Sequence, residues 1–219
     1  MSLSSVQAFF QSLQLDIPIL ETEANTATAT TPAATVYSAA GVTGVTDGNL
    51  AAINNALNSA AVTGALTDTA AEIQDLVTAY VAILAGADAD ASNDNATAIT
   101  AQYTAIGVTD ATDRTASLVN DRIDGLSATE VDTVAQVQAL VSAAAAVMSG
   151  AAAGTAPTLA QLNALGVTGV TADNLAAVQA ALAAATDATQ FNSLSGAQSI
   201  VTTATASYDT AAAKIAAYA

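Results

Sequence analysis

Gly41-Val42-Thr43-Gly44-Val45-Thr46-Asp47-Gly48-Asn49-Leu50 decides how this chain is organised, because the phrase comes back twice. It returns as Gly107-Val108-Thr109-Asp110-Ala111-Thr112-Asp113 and as Gly166-Val167-Thr168-Gly169-Val170-Thr171-Ala172-Asp173-Asn174-Leu175. The spacings are 66 residues (41 to 107) and 59 residues (107 to 166). Periods of this size mark an array of small structural units.

Helical signals flank each copy. Before the first, Pro32 is suited to the first turn of a helix, and Gly41 is suited to a left-handed C-cap. After it, the Thr46 hydroxyl is placed to cap a second helix whose apolar stripe is Leu50, Ile53 and Leu57. Thr69-Ala70-Ala71-Glu72 then has the pattern of a capping box. Ile73, Leu76, Val77, Tyr80, Ile83 and Leu84 follow at the spacing of an amphipathic helix, which Gly86 closes. The second copy keeps the plan. Ile99, Tyr103 and Ile106 line a first helix, Val119 and Ile123 a second, and Val137, Leu140, Val141 and Met148 a third that opens with Thr133-Val134-Ala135-Gln136. In the third copy the lining residues are Leu159, Leu162 and Leu165, then Leu175, Val178 and Leu182, then Ile200, Val201, Tyr208 and Ile215. Val and Thr also suit short strands, but the Gly-rich segments lie between capped helical patterns and read as turns.

The pattern predicts an all-α chain of three tandem three-helix-bundle repeats behind a short N-terminal helical segment. Residues 1–31 hold that helix and a linker, with Leu3, Val6, Phe9, Phe10 and Leu13 on one face and Pro18 ending it. The repeats span 32–95, 96–155 and 156–219. Tyr37 and Tyr103 stand where the third repeat has Leu162, so they read as core positions. Units of about sixty residues bury only a thin core, and aromatics are just 4% of the chain. Contact between neighbouring units must therefore supply part of the stability.

Composition closes off several functions. The net charge is −16, with Arg114, Arg122 and Lys214 the only bases. Nucleic-acid binding is not expected, because phosphate contacts require Lys and Arg. Apolar runs such as residues 143–148 are too short for a membrane helix. The chain has no His and no Cys, which removes a Ser/His/Asp triad, a thiol nucleophile and the usual zinc ligands. Residues 1–7 lack the basic and apolar regions of a secretory signal peptide. Paired carboxylates occur at Asp88/Asp90 and Asp121/Asp124, and they read as solvated acids. Asp88-Ala89-Asp90-Ala91-Ser92-Asn93-Asp94-Asn95 places oxygen ligands at alternate positions, as a calcium loop does. It lacks that loop's glycine and closing Glu, so it reads as a polar connector with at most weak Ca²⁺ affinity. The GVTG turns lack the lysine of a phosphate loop. No catalytic, cofactor-binding or metal-binding residue is assigned, and the expectation is no enzyme and no cofactor.

Gly41-Val42-Thr43, Asn49-Leu50, Ile53-Asn54-Asn55-Ala56 and Ile73-Gln74-Asp75-Leu76-Val77 resemble the GA module, a three-helix bundle of bacterial surface proteins. Gly166–Val178 and Lys214–Ala219 are similar to tandem GA-like repeats of very large secreted bacterial adhesins. The resemblance covers about residues 32–219. It implies an extracellular or cell-surface spacer or adhesion module whose partners are neighbouring modules or copies of itself, with no membrane insertion. A self-assembling subunit of a filament or surface layer, and a GA-type module binding an extracellular host protein, are the alternative readings. Albumin binding is not carried over, because this chain is Ala/Thr-rich where the binders are more charged and aromatic. Residues 1–6 and 17–21 also resemble the opening of the prolyl-tRNA editing family, and no residue role is carried over from it.

Overall fold

The computed structural model describes residues 31–92, 95–149, 156–185 and 188–218. The expected N-terminal helix lies outside them, as does most of the connector at 151–156. Nine α-helices and no strand occur among the described residues: α1 (Ala34–Ala39), α2 (Leu50–Leu57), α3 (Ala70–Gly86), α4 (Thr100–Ala105), α5 (Asp113–Asp124), α6 (Val134–Ser149), α7 (Leu159–Ala164), α8 (Leu175–Ala184) and α9 (Leu194–Ala216). The chain is all-α. One isolated bridge, Asp88 to Ser127, is the only extended pairing among the described residues.

Each Gly-Val-Thr phrase has the same local physics. Glycine ends a six-residue helix in the left-handed region, with φ of 83° at Gly41, 90° at Gly107 and 78° at Gly166. The glycine N–H donates two residues into the helix end (Gly41 to Ser38 O, 3.1 Å), and the following valine N–H donates to the residue before that (Val42 to Tyr37 O, 2.9 Å). Gly107/Val108 and Gly166/Val167 repeat both bonds. This double closure satisfies two carbonyls that the helix end leaves without partners. Val42, Val108 and Val167 are buried, so the stop also turns an apolar side chain inward.

The threonine completes the turn. Thr43 N–H donates to Gln74 Oε1 at 2.7 Å, and Gln74 Nε2 donates back to Thr43 O at 3.1 Å. Thr109 and Gln138 make the same pair at 2.7 and 3.2 Å, and Thr168 and Gln198 make it at 2.8 and 3.1 Å. A turn about thirty residues upstream is thus clamped to each long helix by one amide side chain.

A second recurring device lies beneath the short helices. Tyr37 and Tyr103 are fully buried. Their hydroxyls donate to Asn54 Oδ1 and Asn120 Oδ1, both at 2.6 Å, and those amides donate to Pro32 O and Ala98 O. Where the third copy has Leu162, the second-helix residue is Gln179, whose longer arm reaches Pro157 O directly at 2.9 Å. This corrects the expected role of the prolines. Pro32 and Pro157 precede the N-cap residues Ala33 and Thr158, and they offer a buried carbonyl rather than the first helical residue.

Other expectations also shift. Thr69 and Glu72 form a full capping box, as do Thr133 and Gln136. Thr46 does not cap with its hydroxyl. Its backbone N–H instead donates to Asn49 Oδ1 at 2.8 Å, and α2 starts three residues later than a Thr46 cap would require. Thr112 does cap α5, accepting from Thr115 N–H. Ile99 is 62% exposed and Ile215 is 73% exposed, so neither is core. Ile99 is the residue before α4, where its side chain falls off the buried face. Leu50, Leu84, Met148, Leu159, Leu175, Ile200 and Tyr208 are half-buried.

The helices pack mostly against neighbours in sequence, and α2 also meets α6 and α5 meets α9. α3 lies on α2, then on α4 and α5, while α6 lies on α5, then on α7 and α8, and α9 lies on α8. None of these closely packed pairs joins residues 31–92 to residues 156–218. The buried apolar residues nonetheless form one continuous cluster from Tyr37 to Ala204. Polar contacts stitch the same seams. Asn55 Oδ1 on α2 accepts from Val134 N–H at the start of α6, and Asp121 Oδ2 on α5 accepts from Leu194 N–H at the start of α9, both at 2.8 Å. Tyr80 on α3 donates to Val131 O, and Arg122 on α5 donates to Ala164 O at the end of α7.

Two predictions follow from this packing. A Cβ on Gly86 would sit 2.7 Å from Ala96 Cα, a backbone atom on the next segment. Helix propensity alone says Gly86→Ala stabilises by about 1 kcal/mol, whereas the close approach makes it destabilise by about 1–3 kcal/mol. Urea unfolding decides the sign. The second concerns acid. The Thr69 hydroxyl, first among its partners, holds the Glu72 carboxyl below its ordinary range, and the Ser127 backbone N–H does the same for Glu130. Such groups stabilise the fold above the unfolded-chain value of about 4.3, and that contribution is lost as pH falls through the lowered folded-state value. Thermal melts should therefore fall on the acid side, and Glu72→Gln should flatten the decline.

Candidate functional site

The acidic residues singled out in the sequence are spent on holding the backbone. Asp88 Oδ1 accepts from Asp90 N–H at 3.0 Å and Asp88 Oδ2 from Asn95 Nδ2 at 2.7 Å. Asp90 Oδ1 accepts from both the N–H and the hydroxyl of Ser92, at 3.1 and 2.6 Å. These are turn bonds that aspartate side chains make with the chain just ahead of them. Asn93 and Asp94 lie outside the described residues. Among the described residues no three acidic side chains converge as a metal cage requires.

Asp121 and Asp124 line a recess of about 400 Å³ between α5 and the start of α9, together with Ser117, Asn120, Ser193 and Ser195. Two carboxylates share this concavity, the arrangement that carboxylate-pair hydrolysis needs. Asp124 is buried, and its Oδ1 accepts from Asn95 N–H at 2.9 Å and Ala96 N–H at 3.2 Å. Asp121 holds the first turn of α9 through Leu194 N–H. A buried carboxylate facing two backbone donors answers its own desolvation cost, and its oxygens serve the seam between helices. The sequence reading of these acids as solvated therefore changes for Asp124, which is a buried joint.

Tyr80 and Tyr103 have their hydroxyl pKa values pushed up, in both cases by burial, with Asp132 adding to the effect on Tyr80. Both hydroxyls donate, Tyr80 to Val131 O and Tyr103 to Asn120 Oδ1. Pattern reading missed Asn55, Asp121 and the three glutamines as fold-bearing residues. Only the recurrence of Gln74, Gln138 and Gln198 about thirty residues after each Thr was there to find.

A cleft of about 780 Å³ runs between α8 and α9, bordered by Ala177, Ala181, Ile200, Ala204, Tyr208 and Ala211, with Thr203 and Ser207 among its polar lining. It holds no charged side chain among its lining residues. It suits covering by another apolar surface rather than chemistry. Among the described residues no helix is long and apolar enough to cross a membrane.

Comparison with protein-family models, with curated proteins and with solved structures found no match.

Proposed function

We propose that this chain is a structural scaffold of three tandem three-helix units, spanning residues 32–95, 96–155 and 156–219, that acts as a spacer or adhesion module on a bacterial surface or outside the cell. The observation that carries this reading is the order of packing. α3 and α6 each contact the helices before and after them in sequence, α2 meets α6 and α5 meets α9 across the next seam, and none of the closely packed pairs joins the first stretch to the last. A quasi-linear stack of this kind gains stability from neighbour interfaces and transmits length rather than enclosing a site.

Three further features support it. The Schellman closures, the glutamine clamps and the buried Tyr/Asn or Gln bonds to a carbonyl recur at matched offsets. The capping of α6 by Asn55 and of α9 by Asp121 ties each unit to the next. The acidic side chains best placed for chemistry are occupied by backbone donors. The extracellular setting rests on the resemblance to GA-like adhesin repeats. The net charge of −16 fits a surface bathed in salt, where repulsion is screened within about 8–10 Å.

Small-angle scattering on the monomeric chain tests the reading. A compact globule of this length has a radius of gyration of about 17 Å. A larger value with an elongated profile is expected. A value at the compact limit would mean that the ends fold back on one another, and the spacer function would be abandoned.

A further inference from the structure

The cleft on α8 and α9 occupies the same register as two faces that the fold covers elsewhere. Leu76, Ala79 and Ile83 on α3 are buried, and so are Leu140, Ala143 and Val147 on α6, and both helices pack against the helices that follow them. Counting from the clamping glutamines, the matching positions on α9 are Ile200, Thr203 and Ser207, which are half-buried or exposed. The seat has also changed chemically. Ala180 stands where Asn55 and Asp121 supply the cap for the next long helix. Thr203 and Ser207 replace apolar residues and donate to Ser199 O and Thr203 O within their own helix. The seat on α9 therefore offers hydroxyls and no cap acceptor, unlike the seats on α3 and α6.

One apolar line on α9 remains open. Ala197, Val201, Ala204, Tyr208, Ala211 and Ile215 follow each other at spacings of four and three, the seam of a coiled coil, and Tyr218 continues that spacing in the turn just past the helix end. The first three are buried within the fold, Tyr208 is half-buried, and Ile215 and Tyr218 are 73% and 94% exposed. The reason is length. α9 has 23 residues and its partner α8 has 10, about 34 Å against about 15 Å at 1.5 Å per residue. The packed seam simply continues past the end of its cover. An uncovered helical extension is only weakly stable in water, since most helical stability comes from packing an apolar face.

Charge selects what covers it. Residues 188–218 carry one acid, Asp209, and one base, Lys214, while the chain as a whole carries 19 acids and 3 bases. Two copies can bring this stretch together without the like-charge repulsion their other surfaces impose. We propose that two copies of the chain pair through the C-terminal half of α9, antiparallel about a two-fold axis near residue 213. That register sets Ala211 opposite Ile215 of the second copy, and Tyr208 opposite its Tyr218. A small residue faces a large one and the tyrosines meet at both ends, which is how knobs fill holes in a two-helix seam. The contact is isologous, so it closes at two copies. It rests on the surface of α9 and not on the spacer reading, which scattering from the monomer tests separately.

The test is sedimentation equilibrium on the full chain over a concentration series, with salt raised to screen the net charge. A monomer–dimer equilibrium that tightens with salt is expected. Ile215→Asp, at an exposed position, should leave the circular dichroism unchanged and weaken the dimer by about tenfold or more, the value of one buried isoleucine. The chain has no cysteine, so cross-linking reads the register cleanly: Ala211→Cys mixed with Ile215→Cys should couple faster than either alone. A strictly monomeric chain would overturn the proposal, as would a dimer insensitive to Ile215→Asp or faster coupling of like variants. Species growing beyond two would assign the cleft to head-to-tail stacking instead. Hydrogen-exchange protection of residues 205–216 in a monomer, lost on removing residues 1–31, would assign the seam to the chain's own N-terminal segment.

Discussion

The glutamine clamp on the Gly-Val-Thr turn is the constraint from which the rest of the arrangement follows. A turn has backbone groups that no helix satisfies, and at the exposed Thr43, Thr109 and Thr168 a side chain takes the place of water. Gln74, Gln138 and Gln198 each answer one N–H and one C=O of a threonine about thirty residues upstream. Because the amide is planar and its two atoms are used together, it fixes both the position and the rotation of the long helix against the turn. With that rotation set, Ile73, Leu76, Val77 and Tyr80 are delivered to the core side of α3, and their counterparts Val137, Leu140 and Val141 to that of α6.

The long helices then have two duties. One side of α3 closes on α2 while another takes α4 and α5, and α6 is shared in the same way. This explains how a chain with few aromatics keeps a buried cluster running through all its described segments. Thin layers of Ala, Val, Leu and Ile become adequate when each layer is covered on both sides. The close approach of Gly86 to Ala96 belongs to the same economy of small residues, since removing a side chain lets backbones come near and recovers dispersion contacts.

The polar groups show where an acidic chain can place its carboxylates in a stack. Asp121 and Asp124 sit on the α5 side that faces the following and preceding segments, and each meets backbone N–H donors. A helix start or a loop with unsatisfied donors is a favourable partner for an anion. Joints of this kind absorb charge that would otherwise repel across an interface. The α8/α9 end lacks such a joint and is instead apolar and near neutral, which separates it in character from the internal seams.

Much of this was legible in residue order. Local signals with short reach determined the all-α class, the helix stops at Gly41, Gly107 and Gly166, the capping boxes at Thr69 and Thr133, and the core roles of Tyr37 and Tyr103. Left-handed glycine, hydroxyl caps and helical periodicity act within a turn or two of the chain, so the sequence alone carries them. What only the tertiary structure decided depends on residues far apart. Asn55 capping α6 spans 79 residues and Asp121 capping α9 spans 73. Pro32 and Pro157 proved to accept hydrogen bonds through their carbonyls from the amides of Asn54 and Gln179, Ile99 proved exposed because it precedes its helix, and Ile215 because its helix outruns its partner. Periodicity assigns a residue to a face of its helix, but only the packed chain settles whether another helix is there to cover that face.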